Sequence, residues 1–217
     1  MLGIVTGLQS EAKILAGLPC AVISGGGKAA ATRRKIDDLI TRGVTGLVSF
    51  GIAGGLDPSL RSGDLLLSAN VIDADGQVYA GDPQWLGQAM ALLPMAQIGQ
   101  IYASDQIVET TTEKRRLFET QAVLAADMES HHMARAALRH SLPFLVIRSI
   151  SDRATETLPA ALGAGVNEHG ATRIAPILLA LLTGRLGLVE VIQAGKSASR
   201  ALRSLRYARP VIESLMA

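Results

Sequence analysis

The chain has 217 residues, of which 48% are hydrophobic, and a single cysteine, Cys20. This length suffices for one sizeable buried core, and a lone cysteine excludes both an internal disulfide and a cysteine-rich metal site. The formal net charge is only +2 and no apolar run approaches the length of a membrane span or of a signal peptide, so we expect a cytoplasmic globular protein.

The N-terminal part of the chain predicts two strands, each followed by a helix. Residues 2–6 form a short apolar strand, and Glu11 falls in the first turn of the next helix, where a carboxylate also complements the helix dipole. The second strand ends in Ser24-Gly25-Gly26-Gly27, before a helix over residues 28–41. These glycines could bring backbone N–H groups close to a ligand. Their spacing fits no nucleotide-binding fingerprint, so a plain tight turn is the alternative.

A second glycine-rich exit follows the next buried strand, residues 45–50. Its sequence, Gly51-Ile52-Ala53-Gly54-Gly55, would let a sugar or an anion approach the backbone. A further strand is predicted over residues 65–72, and we interpret Asp64 before it as a turn residue. The region that follows predicts an amphipathic helix over residues 83–93 and one more strand.

Two acidic clusters stand at the ends of two later strands. The strand over residues 122–126 ends in Asp127-Met128-Glu129, and the strand over residues 144–150 ends in Ser151-Asp152. Ligands of open α/β sheets bind beyond the carboxyl ends of parallel strands, so we expect these carboxylates to share one crevice. Asp127 could instead only cap the helix over residues 130–140, whereas Ser151 can hold the Asp152 carboxyl group by a hydrogen bond.

Two adjacent histidines, His131 and His132, raise the question of a metal. Neighbouring residues on a helix point about 100° apart, and no H-E-x-x-H pattern surrounds this pair. We therefore predict neither a metal site nor a cofactor.

The C-terminal segment differs from the rest of the chain in charge. Residues 185–217 carry six Lys or Arg against two Glu, a balance of +4, which leaves −2 on residues 1–184. Helical spacing places five apolar residues on one stripe: Ala201, Leu205, Ala208, Ile212 and Leu215. This basic amphipathic extension could pack on the body or on a partner subunit, or it could contact anionic lipid. Nucleic acid is not an expected partner, because no recognised binding motif is present.

Together these motifs resemble the purine nucleoside phosphorylase and nucleosidase superfamily, including the methylthioadenosine/S-adenosylhomocysteine nucleosidases. The resemblance covers roughly residues 2–183 and rests on Asp127-Met128-Glu129, on Pro143 through Asp152, and on the two glycine-rich exits. It implies an α/β fold, a three-layer α/β/α sandwich with a central mixed twisted sheet, with residues 1–184 as the catalytic domain. It also implies an enzyme that cleaves the N-glycosidic bond of purine nucleosides, as a homodimer or larger homo-oligomer.

The resemblance also implies a role for each candidate site residue. Asp152 would protonate the leaving base with the help of Ser151, and Glu11 would direct the attacking water. The ribose would be held by Glu129, Met128 and Asp127. The base pocket would be aliphatic, with Ile107, Val108 and Val166 in its walls. The glycine loops near sugar or phosphate would contribute Gly25, Gly26, Gly51, Ile52, Ala53 and Gly54.

Two questions stay open within this resemblance. The family often has a hydroxyl residue where Ile52 stands, which favours hydrolysis over phosphorolysis, although four arginines could still supply a cation for phosphate: Arg33, Arg34, Arg61 and Arg148. Ile52 also admits a nucleoside-binding protein without turnover, an alternative that the retained acids argue against. The basic tail and aliphatic pocket are most similar to the hopanoid-biosynthesis-associated branch, whose substrate class is an adenosyl group on a triterpenoid. Such a substrate implies peripheral contact with the inner membrane.

Overall fold

The computed structural model of the protein describes residues 1–68, 70–158, 167, 169–171 and 187–216. At its centre is one mixed, ten-stranded sheet flanked by helices. The strands are β1 (Leu2–Thr6), β2 (Ala21–Ser24), β3 (Gly46–Gly55), β4 (Leu65–Ser68), β5 (Asn70–Asp73), β6 (Val78–Ala80), β7 (Gln97–Ile98), β8 (Gln100–Ala103), β9 (Val123–Asp127) and β10 (Phe144–Asp152).

Seven α-helices lie within the described residues: α1 (Gln9–Ala12), α2 (Ala29–Thr41), α3 (Pro83–Leu92), α4 (Thr111–Gln121), α5 (Ser130–Arg139), α6 (Leu188–Leu205) and α7 (Arg209–Leu215). Short 3₁₀ turns, Lys13–Leu15 and Arg206–Ala208, follow α1 and α6. Most of these elements are predicted from the sequence with shifted ends. Helix α4 is not among the predicted elements.

The two faces of the sheet carry separate layers of helices, because side chains alternate along the central strands. On β10, Phe144 and Val146 belong to the core cluster that includes residues of α2 and α5. The intervening Leu145 and Ile147 belong to a second cluster, which includes residues of α3, α6 and α7. Apolar burial on both faces holds three layers together, and the predicted α/β fold with a mixed sheet is confirmed.

Strand β3 is the element at which the acidic strands meet. Strands β1 and β10 pair with it in parallel, whereas its last two residues, Gly54 and Gly55, pair with β9 in antiparallel orientation. The expectation that the two acidic strands are parallel is therefore wrong, since β9 runs opposite to β10. Their carboxyl ends still meet, because Asp152 of β10 and Ala126 of β9 are both registered with Gly54.

The C-terminal segment packs on the body of the protein. Four residues of the predicted stripe are fully buried: Ala201, Leu205, Ala208 and Ile212. The last three belong to the core cluster that includes residues of β1 and β10. Arg209 Nη1 donates hydrogen bonds to the carbonyl oxygens of Ile14 and Ala16, at 2.8 and 3.1 Å. The stripe is thus not available to lipid, while the predicted boundary at residue 184 lies outside the described residues. Among the described helices, none combines the length and the apolar character needed to cross a bilayer.

Candidate active site

A cavity of about 560 Å³ opens where β3, β9 and β10 meet. Most residues selected from the sequence line it: Glu11, Gly26, Ile52, Ala53, Gly54, Ile107, Val108, Asp127, Met128, Glu129, Ser151 and Asp152. Gly25 and Gly51 do not line the cavity, and Val166 is outside the described residues. The fold therefore brings the acids from three separate stretches of sequence to one cavity.

Glu11 is held in the cavity wall by backbone N–H groups. Its Oε2 accepts hydrogen bonds from Gly7 and Leu8, both at 2.8 Å, and its Oε1 accepts one from Ile52, also at 2.8 Å. A carboxylate can accept about four hydrogen bonds, so one position on Oε1 is left. Burial raises the pKa of Glu11, although the charge of Arg148 and the three N–H groups act in the opposite direction.

A buried arginine in the middle of β10, Arg148, organises the acids around it. Its Nε donates to Asp127 Oδ2 at 2.7 Å, and its Nη2 lies 3.9 Å from Glu129 Oε2. Its Nη1 has no hydrogen-bond partner within the described part of the chain. A Cβ atom at Gly51 would lie 2.5 Å from Nη1 and 2.8 Å from Glu11 Oε1. The glycine therefore leaves the room in which the guanidinium and the Glu11 carboxyl group face each other.

Asp127, for which the resemblance predicts a contact with the ribose, lines the cavity and is hydrogen-bonded within the protein. Its carboxylate accepts hydrogen bonds from Arg148 Nε, from the Ser130 hydroxyl at 2.5 Å, and from the Glu129 and Ser130 N–H groups at 3.0 and 2.8 Å. Burial acts to raise the pKa of Asp127, but Arg148 and Ser130 outweigh it and the pKa is lowered. The acceptor positions of Asp127 are filled, so it anchors Arg148 and the start of α5.

Glu129 is a buried acid whose pKa is raised above its ordinary value. Burial and the nearby negative charge of Asp127 raise its pKa to about 8, against the opposing charge of Arg148. Its Oε1 packs against Gly7: a Cβ atom on residue 7 would lie only 3.0 Å from this oxygen. A neutral carboxylic acid can both donate and accept a hydrogen bond, which suits a pair of sugar hydroxyl groups.

Both oxygens of Asp152 are engaged. Ser151 Oγ lies 2.6 Å from Oδ1, and Lys114 Nζ lies 2.5 Å from Oδ2. Burial raises the pKa of Asp152, with Lys114 and Ser151 acting in the opposite direction. A Cβ atom at Gly54 would lie 3.2 Å from Oδ2, so the glycine exit of β3 makes room for this carboxyl group.

Lys114 is the residue at this site that the reasoning from sequence missed. It lies on α4, and it is fully buried. A signal for this helix is present as Thr110-x-x-Glu113, the pattern of a capping box. The Thr110 hydroxyl accepts a hydrogen bond from the Glu113 N–H at 3.2 Å, which caps the start of α4.

The glycine-rich turn after β2 uses its N–H groups within the protein. Gly25 and Gly26 donate to backbone carbonyl oxygens at 2.8 and 2.9 Å, and the Gly27 N–H is hydrogen-bonded to Glu129. Gly26 and Gly27 have φ values of 65° and 62°, which glycine adopts without strain. The turn closes one side of the cavity as a tight turn, and these three N–H groups do not form a phosphate cradle.

The two adjacent histidines converge, so the expectation that they point apart is wrong. Both histidines lie in the first turn of α5. Their Nε2 atoms are 3.0 Å (His131) and 2.8 Å (His132) from the same carboxylate oxygen of Asp105. Burial and the charges of His131 and Arg33 together lower the pKa of His132 to about 4, against the opposing charge of Asp105. The three side chains have the donor types of a metal site. Positive charge from Arg33 opposes a cation there, and the absence of a metal stays a prediction.

Comparisons with known sequences identify related proteins. A family model described as "Phosphorylase superfamily" matches residues 6–183. The 5'-methylthioadenosine/S-adenosylhomocysteine nucleosidase of Marinomonas sp. (strain MWYL1) is 30% identical over 137 residues, which are 52% of this chain and 58% of that relative. The nucleosidase of Shewanella denitrificans is 28% identical over 205 residues, 83% of this chain and 88% of that relative. Against four such relatives the chain spans only 57% to 59% of their length.

Solved structures show the same fold. The 5'-methylthioadenosine/S-adenosylhomocysteine nucleosidase of Helicobacter pylori superposes with a TM-score of 0.72 at 18% identity, covering 99% of this chain and 97% of that one. The native futalosine hydrolase of Helicobacter pylori strain 26695 gives a TM-score of 0.67 at 18% identity, with coverages of 95% and 96%. At such identities the superpositions establish the architecture, and the chemistry must be argued from the cavity itself.

Proposed function

This chain belongs to the phosphorylase superfamily, and from that premise we propose that it hydrolyses the N-glycosidic bond of an adenosine-type nucleoside. The observation that carries the proposal is the arrangement of Glu11 and Arg148. Glu11 has one unfilled acceptor position. Arg148 Nη1 is buried and has no hydrogen-bond partner among the described residues. Both groups lie on the side of Gly51 where a Cβ atom would point. Glu11 lines the cavity, so the sugar of a nucleoside bound there would lie beside its carboxylate.

A water molecule between these two side chains is activated for attack. It donates one proton to Glu11 and accepts a hydrogen bond from Arg148, which directs its remaining lone pair towards the sugar. Burial raises the pKa of Glu11, so the carboxylate is a better proton acceptor than an exposed glutamate. Glu11 is anchored by three N–H groups and therefore needs little reorganisation during the reaction.

Asp152 protonates the purine as the glycosidic bond breaks. The transition state resembles an oxocarbenium ion, and a neutral leaving base lowers its energy. Ser151 has one hydroxyl proton but two neighbouring acceptors, Ala53 O at 3.1 Å and Asp152 Oδ1 at 2.6 Å. When Ser151 donates to Ala53, its oxygen is free to accept a hydrogen bond from protonated Asp152, and this chain of bonds favours the protonated acid. The neutral Glu129 binds ribose hydroxyl groups, with Met128 against the sugar.

Hydrolysis is favoured over phosphorolysis because the backbone N–H groups of both glycine-rich exits that could hold phosphate are largely in use. The Ile52 N–H is bonded to Glu11, and the N–H groups of the glycine turn are bonded within the protein. The Glu11 carboxylate adds negative charge, which disfavours a phosphate dianion. None of the four candidate arginines lines the cavity: Arg33, Arg34, Arg61 and Arg148. Phosphorolysis is the alternative, and Lys28, a cation that does line the cavity, supports it.

The test is a cleavage assay on the full chain with and without phosphate. Adenosine, inosine, 5'-methylthioadenosine and S-adenosylhomocysteine are incubated with the protein, and the free base and the sugar are separated chromatographically. We expect adenine and free sugar at a rate independent of phosphate. A phosphate-dependent rate with sugar 1-phosphate as product would establish a phosphorylase. Tight nucleoside binding without base release would indicate a binding protein.

An adenosyl group carried on a triterpenoid is the finer proposal for the substrate. The aliphatic residues that line the cavity support it: Leu8, Ile52, Leu56, Ile107, Val108 and Leu158. Such a substrate requires contact with a membrane, for which the outer face of α6 is suited. This face exposes Val189 and Ile192, which are 67% and 47% accessible, beside exposed basic residues, Lys196, Arg200 and Arg203. Salt-sensitive binding to anionic vesicles, lost in a variant with these three residues changed to glutamine, tests the contact.

A homodimer or larger homo-oligomer is proposed for the assembly in solution. The family resemblance supports it, and so does a group of exposed apolar residues around the end of α3, with Leu92 45%, Met95 89% and Ile98 43% accessible. Light scattering at several protein concentrations gives the mass directly. A monomer at all concentrations would remove this proposal without affecting the catalytic one.

A further inference from the structure

Lys114 is a buried charge beside the proposed acid. Its Nζ donates to Asp152 Oδ2 at 2.5 Å, to the Arg153 carbonyl oxygen at 3.0 Å and to the Glu156 carbonyl oxygen at 2.7 Å. An ammonium group has three N–H donors and no acceptor, so these bonds use all of them. Lys114 lines the cavity but has no donor left for a nucleoside or a phosphate. Its effect on the reaction must therefore act through Asp152 and the loop.

The two carbonyl groups belong to the loop that follows β10. Within this loop the Glu156 carboxylate accepts a hydrogen bond from the Arg153 N–H at 3.1 Å. Further on, the Leu158 N–H donates to the Glu109 carbonyl oxygen at 2.9 Å, immediately before α4 begins. Leu158 and Glu109 both line the cavity. One ammonium group thus joins the proposed acid, the cavity wall after it, and the helix that carries the lysine.

We propose that Lys114 is a positioning residue for the cleavage: it holds Asp152 and residues 153–158 in one arrangement, and it stabilises the carboxylate that Asp152 becomes after protonating the base. The inference rests on the proposed function. The proton moves from an Asp152 oxygen to a purine nitrogen, while Lys114 keeps its three protons throughout. Before the transfer the Lys114 cation lies beside a neutral acid, and afterwards it forms a buried ion pair with the Asp152 carboxylate. The attraction in the ion pair is stronger than the attraction to the neutral acid. Lys114 therefore stabilises the later state of the transfer more than the earlier one.

The pH dependence of the rate separates this role from a purely structural one. The charged groups that face Asp152 are Lys114, which favours its ionised form, and Glu156, which disfavours it. Without Lys114 the acid retains its proton to higher pH. Since the protonated acid is the active form, the rate falls as pH rises through its pKa. Removal of Lys114 is therefore expected to move this falling limb to higher pH and to lower the maximal rate.

The experiment compares Lys114→Met with Arg115→Met. The control removes one positive charge from the next position of the same helix, where the side chain is exposed. For Lys114→Met we expect kcat to fall about 10- to 100-fold, the range of a hydrogen bond to a charged group, with a smaller change in KM. The falling limb should shift upwards in pH. Ethylammonium added to Lys114→Ala should restore part of the rate, whereas Arg115→Met should match the wild type.

A second measurement follows the loop without any nucleoside. Trypsin cleaves after Arg153, whose side chain is exposed and whose carbonyl group is held by Lys114. We expect cleavage at this bond, mapped by mass spectrometry, to be slow in the wild type and in Arg115→Met, and fast in Lys114→Met. If Lys114→Met does not fold, Lys114→Arg allows the same comparison, because its planar donor group cannot reach the three acceptors in the same way.

The outcomes are distinguishable. A Lys114→Met enzyme with the wild-type rate and pH profile would overturn the proposal, as would a slower enzyme with an unchanged falling limb, since that indicates only a structural role. If the wild-type chain cleaves no nucleoside, the proposed function fails. The role of Lys114 is then tested without activity. Trypsin cleavage after Arg153 reports on the loop, and carbon-13 titration of the Asp152 carboxyl group reports whether its pKa rises in Lys114→Met.

Discussion

Replacement of Gly51 by alanine tests the pairing of Glu11 with Arg148. The added methyl group would meet Arg148 Nη1 at 2.5 Å and Glu11 Oε1 at 2.8 Å, and real Cβ contacts below 3.0 Å are essentially not seen. Neither neighbour yields easily, because Arg148 is bonded to Asp127 and Glu11 accepts three backbone N–H bonds. A local overpacking of this kind costs about 1–3 kcal/mol of stability.

The effect of Gly51→Ala on activity should exceed its effect on stability. A displacement of about 1 Å at a reacting group lowers a rate by about 10²-fold. Gly87→Ala is the matched control, since a Cβ atom there meets no atom within 4 Å, and alanine is favoured within α3. Urea unfolding and base release are measured for both variants. Wild-type rate and stability in Gly51→Ala would refute the arrangement of Glu11 and Arg148 described here.

Four further predictions follow from the same site. Asp152→Asn should keep the fold and lose about 10²- to 10⁴-fold in the rate of base release, because an amide cannot deliver the proton; near wild-type turnover would remove Asp152 from its role. Because Glu129 has a folded pKa of about 8, above its unfolded value of 4.5, the folded state binds more protons between these pH values. Stability should therefore fall as pH rises from 4.5 to 8, and Glu129→Gln should flatten this part of a plot of Tm against pH. Deletion of the chain from Lys196 onward removes residues that are fully buried, so we expect an unfolded or aggregated product by circular dichroism and light scattering; a folded, active truncation would contradict the packing of α6 and α7. Since a metal is not predicted at Asp105, a chelator should leave the rate of base release and the Tm unchanged, and a loss that zinc restores would reveal a metal site.

The acids of the site could be predicted because each follows an apolar strand or opens a helix. Glu11 and Asp152 stand where local patterns alone place a strand end or a helix start, and the strand ends meet at one cavity. The antiparallel direction of β9 could not be predicted from such patterns, because the direction of pairing depends on the path of the chain between strands. The two histidines were misjudged for a similar reason. Helical spacing gives the direction of a Cβ atom, while the ring nitrogen lies several bonds further on.

Arg148 and Lys114 show why buried charges are the hardest part of a site to predict. Arg148 was only one of four spare cations in the sequence, and its place among Glu11, Asp127 and Glu129 depends on three separate segments. Lys114 lies on a helix with many exposed polar residues, and its partners come from residues 152, 153 and 156. Charged residues are rarely buried without partners, so their burial becomes visible only after the partners are placed in space.

The bonds from Arg209 to the carbonyl groups of Ile14 and Ala16 have a consequence for synthesis of the chain. The segment with β1 and Glu11 is synthesised long before α7, although Leu2 and Ile4 of β1 share a core with Val211 and Ile212 of α7. The first strand must therefore wait for almost the whole chain before its apolar face is covered. A product that stops short of α7 lacks this cover, and the helix of Glu11 lacks its tether. The packing of the Glu11 segment thus depends on residues that are synthesised long after it.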